Sequence, residues 1–101
     1  MYIYNVTVKV EHAIAEDWLH WMIHEHIPDI LSTGCFRDAK LMQILEIDDA
    51  EGPTYATQYF AATEDEYRKY VSDFAPAMRQ KGMDKWGDRF IAFRTLMKAV
   101  N

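Results

Sequence analysis

The order of its periodic segments constrains the fold of this chain more than any other feature. Four segments have the alternation or the β-branched and aromatic content of strands, namely residues 2–10, 36–47, 54–62 and 89–98. Residues 14–25 and 63–74 instead have apolar side chains at helical spacing. The order strand, helix, strand, strand, helix, strand predicts the ferredoxin-like βαββαβ arrangement. In this α+β fold, a four-stranded antiparallel sheet carries both helices on one face.

Prolines and a capping pair indicate where the helices begin and end. Pro28 lacks a backbone N–H and restricts the residue before it, so we expect the first helix to end or kink near His26. Thr63 and Glu66 have the spacing of a capping box at the start of the second helix. Pro76 is expected to interrupt that helix in the same way.

Length and composition bound the number of domains. The chain has 101 residues, of which 50% are hydrophobic and 14% are aromatic. This is enough apolar material for one compact domain, and too little length for two. No internal repeat, low-complexity tract or linker-like segment divides the sequence. We therefore predict a single domain that spans residues 1–101.

Charge and cysteine content exclude several classes of partner. The net charge is -5 and the basic residues are scattered, so neither nucleic acid nor an anionic membrane surface is an expected partner. The single cysteine, Cys35, has no second cysteine to pair with inside the chain. The N-terminal segment alternates and does not form the apolar run of a signal peptide. These features predict a soluble, cytoplasmic protein.

The two faces of the predicted sheet are the basis for a prediction of self-association. Helices would cover one face only, and neither side of the strands is uniformly polar, as a water-exposed face tends to be. The first strand, for example, has one mixed side made of Ile3, Asn5, Thr7 and Lys9. We expect a second copy of the sheet to cover the open face. The resulting homodimer would enclose a barrel-like interior suited to a small organic ligand.

Four segments of the sequence also carry a family resemblance that spans nearly the whole chain. They are MYIYNVTVKVE at the start, EDWLHWMIHEHIPDILSTGCF, FAPAMRQKGMDKWGDRF and the closing strand IAFRT. With these segments the chain resembles an uncharacterised bacterial family, a domain of unknown function, within the dimeric α+β barrel, ferredoxin-like superfamily. The resemblance implies that fold and a homodimer. The superfamily includes cofactor-independent monooxygenases, isomerases, decyclising and dehydrating enzymes, and haem-handling proteins.

Two ionisable residues of the first helix are candidate catalytic groups. On a helical wheel, Glu25 projects among tryptophans and His26 lies in the apolar arc near Met22. One interpretation makes them a proton-transfer pair with shifted pKa values. The other has His26 cap the last carbonyls of the helix while Glu25 pairs with an arginine or a tyrosine. His26 and Pro28 also resemble the His-x-Pro element of relatives that act on polyketide-like or phenolic compounds.

The remaining histidines of this helix raise the question of a metal. His20 and His24 are four residues apart, with Glu16 one turn earlier, which is a possible metal-binding spacing on a helix face. An exposed polar face explains the same pattern, and we predict no metal site. By analogy with the superfamily, His24 or His26 is also a possible haem ligand. We predict no bound cofactor.

These observations lead to a functional hypothesis and a rival. The hypothesis is that the protein binds a small organic molecule, or converts it without a bound cofactor, in a barrel pocket beside the sheet. Asn5, Thr7 and Arg94 are the candidate ligand-binding residues, with His26 and Glu25 as the candidate catalytic pair. The rival is a structural or interaction homodimer with no catalytic activity. The sequence leaves open whether the protein is an enzyme.

Overall fold

The computed structural model describes residues 1–101, and its elements follow the predicted order. The strands are β1 (Tyr2–Val10), β2 (Asp38–Gln43), β3 (Thr54–Ala61) and β4 (Phe90–Lys98). The α-helices are α1 (Ala15–Trp21), α2 (Ile27–Ser32), α3 (Glu64–Asp73) and α4 (Ala75–Trp86). A 3-10 turn (His12–Ile14) precedes α1, and a π-helical turn (Met22–His26) joins α1 to α2. No helix is long and apolar enough to cross a membrane.

The strands form a single antiparallel sheet in the order β2-β3-β1-β4. The central strand β1 pairs with β3 on one side and β4 on the other, so that Tyr2 lies opposite both Ala61 and Lys98. This topology confirms the predicted ferredoxin-like α+β fold. Strand β2 is shorter than the predicted 36–47. Glu46 has a positive φ of 60°, which turns the chain out of the extended conformation.

The first helix does not end at the proline, and the irregularity expected near His26 takes the form of a π-helical turn. The chain stays helical from α1 through the π-helical turn into α2. Within that turn the N–H of Ile27 donates to the carbonyl of Met22, five residues back rather than four. Pro28 then falls in the first turn of α2, where a helix tolerates a residue without an N–H. The wide turn thus accommodates the proline without breaking the helix.

The second helix begins and breaks where the sequence indicated. The hydroxyl of Thr63 accepts a hydrogen bond from the N–H of Glu66 at 3.2 Å and caps the start of α3. The helix ends at Phe74, whose φ of -124° is not helical, and α4 starts at the next residue. Pro76 lies in the first turn of α4. The break lets α3 and α4 pack over different parts of the sheet.

The core lies entirely between the sheet and the helices. One cluster is built around Tyr4, Tyr59 and Tyr70, and a second around Trp18 and Trp21. The other face of the sheet carries no helix. On that face, Phe93 and Ile91 of β4 remain 66% and 59% exposed. The structure therefore has one buried and one open sheet face, and both bear large apolar side chains.

Candidate functional site

A half-enclosed cavity lies between the helices and the helix-covered face of the sheet, where the two core clusters meet. Its volume is about 70 Å³, and 13 of its 17 lining residues are hydrophobic. The aromatic residues of its wall are Tyr4, Trp18, Trp21, Tyr59, Tyr70, Trp86 and Phe90. Its only charged or imidazole side chains are His26, Arg79 and Arg94. An apolar cavity with a few polar groups is the usual form of a small-molecule site.

The π-helical turn positions His26 at this cavity. Its imidazole stacks on the indole of Trp21, with ring centroids 4.3 Å apart and an interplanar angle of 18°. Burial lowers the pKa of His26 to about 4, although the carboxylate of Asp29 opposes this effect. The ammonium of Lys81, which forms a 2.9 Å ion pair with Asp29, lowers the pKa further. His26 is therefore neutral at pH 7, with one ring nitrogen as donor and the other as acceptor.

Two buried ring nitrogens of cavity-lining residues have no hydrogen-bond partner. They are Nδ1 of His26 and Nε1 of Trp86. Both rings adjoin Trp21, since the two indoles meet edge to face with centroids 5.9 Å apart. Leaving a buried polar group unpaired costs on the order of 1–3 kcal/mol, so native proteins rarely do so without a reason. A ligand that hydrogen-bonds to these two nitrogens would remove that cost.

Tyrosines and arginines form the opposite side of the cavity. The guanidinium of Arg79 donates to the hydroxyl of Tyr4 at 3.4 Å. Burial raises the pKa of Tyr70, and the nearby Tyr4 raises it further. The positive charges of Arg79 and Arg94 act against that shift. Burial also raises the pKa of Tyr59. The hydroxyls of Tyr59 and Tyr70 are therefore neutral at pH 7 and can donate hydrogen bonds.

The structure separates the candidate residues that the sequence grouped together. His26 and Arg94 both line the cavity. Arg94 lies opposite Val6 in the sheet register and shares its helix-covered face. Asn5 and Thr7 lie on the open face, because side chains alternate along β1, and there the amide of Asn5 donates to the hydroxyl of Thr7 at 3.0 Å. The sheet itself therefore stands between these two groups of residues.

Glu25 is not in the position that the helical wheel gave it. Its side chain is exposed and does not line the cavity. The wheel assumed about 3.6 residues per turn, which aligns Glu25 with Trp21. In the π-helical turn the backbone hydrogen bonds span five residues instead of four, so that His26 stacks on Trp21 and Glu25 is exposed.

His20 and His24 lie on the exposed side of the same helical segment. Their rings are tilted against each other with centroids 4.3 Å apart. No group of three or more metal-binding side chains (His, Cys, Asp or Glu) occurs in the structure. The pair thus lacks the third protein ligand that a zinc site normally has.

Two cavity residues of α4 were missed as site residues by the sequence reasoning. Neither Trp86 nor Arg79 was among the candidate residues. Arg79, Gly82 and Trp86 lie at i, i+3 and i+7, which places them on one face of α4. Gly82 leaves unfilled space on that face, since a Cβ atom there would make only ordinary contacts at 3.9 Å with Trp21 and Phe90. A helical stripe with arginine, glycine and tryptophan was the available signal.

Comparison with known proteins places the chain in the class of ferredoxin-like α+β proteins. Among solved structures, an ethyl tert-butyl ether d (ethd) family protein of Bacillus halodurans superimposes with a TM-score of 0.67 at 13% identity, covering 99% of this chain and 100% of that one. SnoaB of Streptomyces nogalater, a cofactor-independent oxygenase, superimposes with a TM-score of 0.68 at 11% identity, and the match covers 99% of this chain and 94% of SnoaB. A dimeric ferredoxin-like protein from an uncultured marine organism has a TM-score of 0.60 at 8% identity, and the match covers 99% of this chain and 96% of that one. At such identities the likeness establishes the fold alone.

The sequence also identifies the family. Residues 1–100 match the family model DUF4286, a domain of unknown function, and the chain belongs to that family. This confirms the resemblance to an uncharacterised family. No curated protein matches the sequence.

Proposed function

We propose that the protein binds a small organic molecule in the cavity beside the helices, or converts it there without a bound cofactor. The observation that carries this proposal is the pair of buried, unpartnered ring nitrogens of His26 and Trp86 in an aromatic-walled cavity. The fold supports it, because SnoaB, which shares the fold, is described as a cofactor-independent oxygenase. Residues 1–101 act as one domain in this proposal.

His26 and Arg94 are the sequence-based candidates that this proposal retains in the cavity. A neutral imidazole with a pKa of about 4 accepts a hydrogen bond well but is a weak base at pH 7. We therefore assign ligand orientation to His26 first, and proton transfer only from a ligand group that is itself acidic. Glu25 has no part in this proposal, because its side chain does not line the cavity.

We further propose that the open sheet face joins two copies of the chain. Four large apolar side chains of that face are at least 36% exposed, namely Met42, Ile91, Phe93 and Met97. Solved structures with this fold are described as dimeric. Asn5 and Thr7 then lie at the interface and not at the ligand. The single, buried and unpaired Cys35 supports our proposal of a reducing, cytoplasmic location.

Native mass spectrometry of the purified protein tests the binding proposal. We expect a co-purified small molecule, or a hit from an aromatic fragment library, in the wild type. His26→Ala and Trp86→Phe should each weaken binding by roughly tenfold, the effect of one lost hydrogen bond from a buried group. His24→Ala removes an exposed imidazole of the same helical segment and should leave binding unchanged. Equal binding by all four proteins would contradict the site.

The size of the cavity favours one alternative, a homodimer whose cavity is only a packing defect. At about 70 Å³ the cavity is roughly half as large as an engineered 150 Å³ cavity that binds benzene. Under this alternative, His26→Ala lowers the thermal stability and changes no binding. Under the binding proposal, the same substitution affects binding far more than stability.

A further inference from the structure

The cavity has an unbalanced charge that bears on the class of its ligand. Two arginines line it, and no aspartate or glutamate does. The two ion pairs of the protein are Lys81 with Asp29 and Arg89 with Glu11, so neither arginine of the cavity has a carboxylate partner. The chain as a whole has 16 acidic and 11 basic residues. A locally cationic cavity in an acidic protein therefore does not follow from the overall composition.

The two guanidinium groups stand at the open side of the cavity. Arg79 and Arg94 are both exposed, although the cavity also contacts them. Arg79 uses one donor on the hydroxyl of Tyr4, and Arg94 makes no side-chain hydrogen bond within the protein. A guanidinium carries five N–H donors, so most of their donors are free for a ligand. Both act on the hydroxyl of Tyr70, so the tyrosine side of the cavity carries their combined field.

We propose that the ligand is a small organic anion whose carboxylate lies against Arg79 and Arg94. The hydroxyls of Tyr4 and Tyr70 are further donors on this side. The apolar body of the ligand extends toward the indoles of Trp21 and Trp86. Arginine suits this task because its planar donors match the two oxygens of a carboxylate. The inference rests on the proposed function, since it assigns a ligand class to the same cavity.

Matched acid and amide pairs test the charge of the ligand apart from its shape. The probes are acetate with acetamide, benzoate with benzamide, and 1-naphthoate with 1-naphthamide. Affinities are measured on the full-length protein by ligand-observed NMR and calorimetry. We expect at least one acid to bind roughly tenfold or more tightly than its amide, because a hydrogen bond to a charged group is stronger than one to a neutral group.

Variants of the two arginines assign the preference to the cavity. Arg79→Gln and Arg94→Gln should each remove most of the preference for the acid, whereas Arg94→Lys keeps the charge and should retain part of it. Arg37→Gln removes one exposed arginine away from the cavity and serves as the control. Circular dichroism and thermal melts establish that each variant is folded.

The outcomes separate this inference from the proposed function. If the amides bind as tightly as their acids, the proposal of an anionic ligand is wrong, while the proposal of small-molecule binding stands. If both glutamine variants still prefer the acid, Arg79 and Arg94 do not bind the carboxylate. If neither the acids nor the amides bind at millimolar concentration, both the inference and the proposed function fail.

Discussion

The imidazole of His26 lies flat against the indole of Trp21, five residues earlier in the same helical segment, with 4.3 Å between ring centroids. An α-helix brings residues i and i+4 together, so this contact depends on the π-helical turn between them. The stacking buries the imidazole and fixes its orientation at the cavity. Burial of this ring lowers its pKa, and its Nδ1 has no hydrogen-bond partner.

The low pKa of His26 predicts a dependence of stability on pH. The folded-state pKa is about 4 and the ordinary value is 6.5. Between these values the unfolded chain binds a proton that the folded chain does not, so the free energy of unfolding falls as the pH drops from 6.5 and the loss levels off below about 4. The total loss is at most on the order of 3 kcal/mol. Well above pH 6.5 His26 is neutral in both states and does not change the free energy of unfolding with pH.

Urea denaturation at pH 7 and pH 5 measures this loss. In His26→Gln the difference between the two pH values should shrink by most of the contribution of His26. His24→Gln, which changes an exposed histidine, should behave like the wild type. An unchanged pH dependence in His26→Gln would mean that another group is responsible.

Substitutions of Gly82 should fill the cavity from α4. In Gly82→Ala the new Cβ atom makes ordinary contacts at 3.9 Å with Phe90 and Trp21. We expect a gain of about 0.5–1 kcal/mol in unfolding free energy, because alanine is the better helix residue. Gly82→Leu should instead occupy the cavity and abolish ligand binding in a folded protein. Thermal melts and fragment binding by NMR measure the two effects.

A glycine outside the helices is the control for this series. Gly34 has a φ of +78°, a conformation that alanine adopts with strain, so Gly34→Ala should lower stability by roughly 1 kcal/mol. Its binding should equal that of the wild type. Full ligand affinity in a folded Gly82→Leu protein would show that the ligand binds elsewhere.

A charge on the open sheet face should dissociate the proposed dimer. Phe93→Asp places a carboxylate at the most exposed large side chain of that face, and burying an unpaired charge costs several kcal/mol. Analytical ultracentrifugation should then report a monomer at concentrations where the wild type is a dimer. Leu45→Asp changes an equally exposed apolar residue, 71% accessible, that lies outside the strands, and should remain dimeric. If both variants are monomeric, or if both are dimeric, the result contradicts the open sheet face as the dimer interface.

The fold followed from the sequence because strand periodicity and helix signals are local. Alternation over residues 2–10 matched β1, and the Thr63 cap matched the start of α3. The extent of β2 did not follow, because residues 45–47 have strand-like side chains but no partners in the register with β3. Pro28 was expected to end or kink the helix because it lacks an N–H, and the π-helical turn before it was not foreseen.

The sequence predicted only part of the candidate site, and the reason is physical. His26 was identified because a titratable group on an apolar arc is unusual in any helical repeat. Arg94 was identified, but which face of β4 becomes buried depends on the pairing with β1. Trp86 was not assigned to the site, since its unpaired nitrogen is a property of three-dimensional packing.

The π-helical turn has a consequence for what the cavity can admit. With regular α-helical bonding, Glu25 would align with Trp21, where the imidazole of His26 now stacks. The wide turn keeps the acid outside and presents a neutral ring in its place. One extra residue in a single helical turn therefore decides whether a carboxylate or an uncharged imidazole forms this part of the cavity wall.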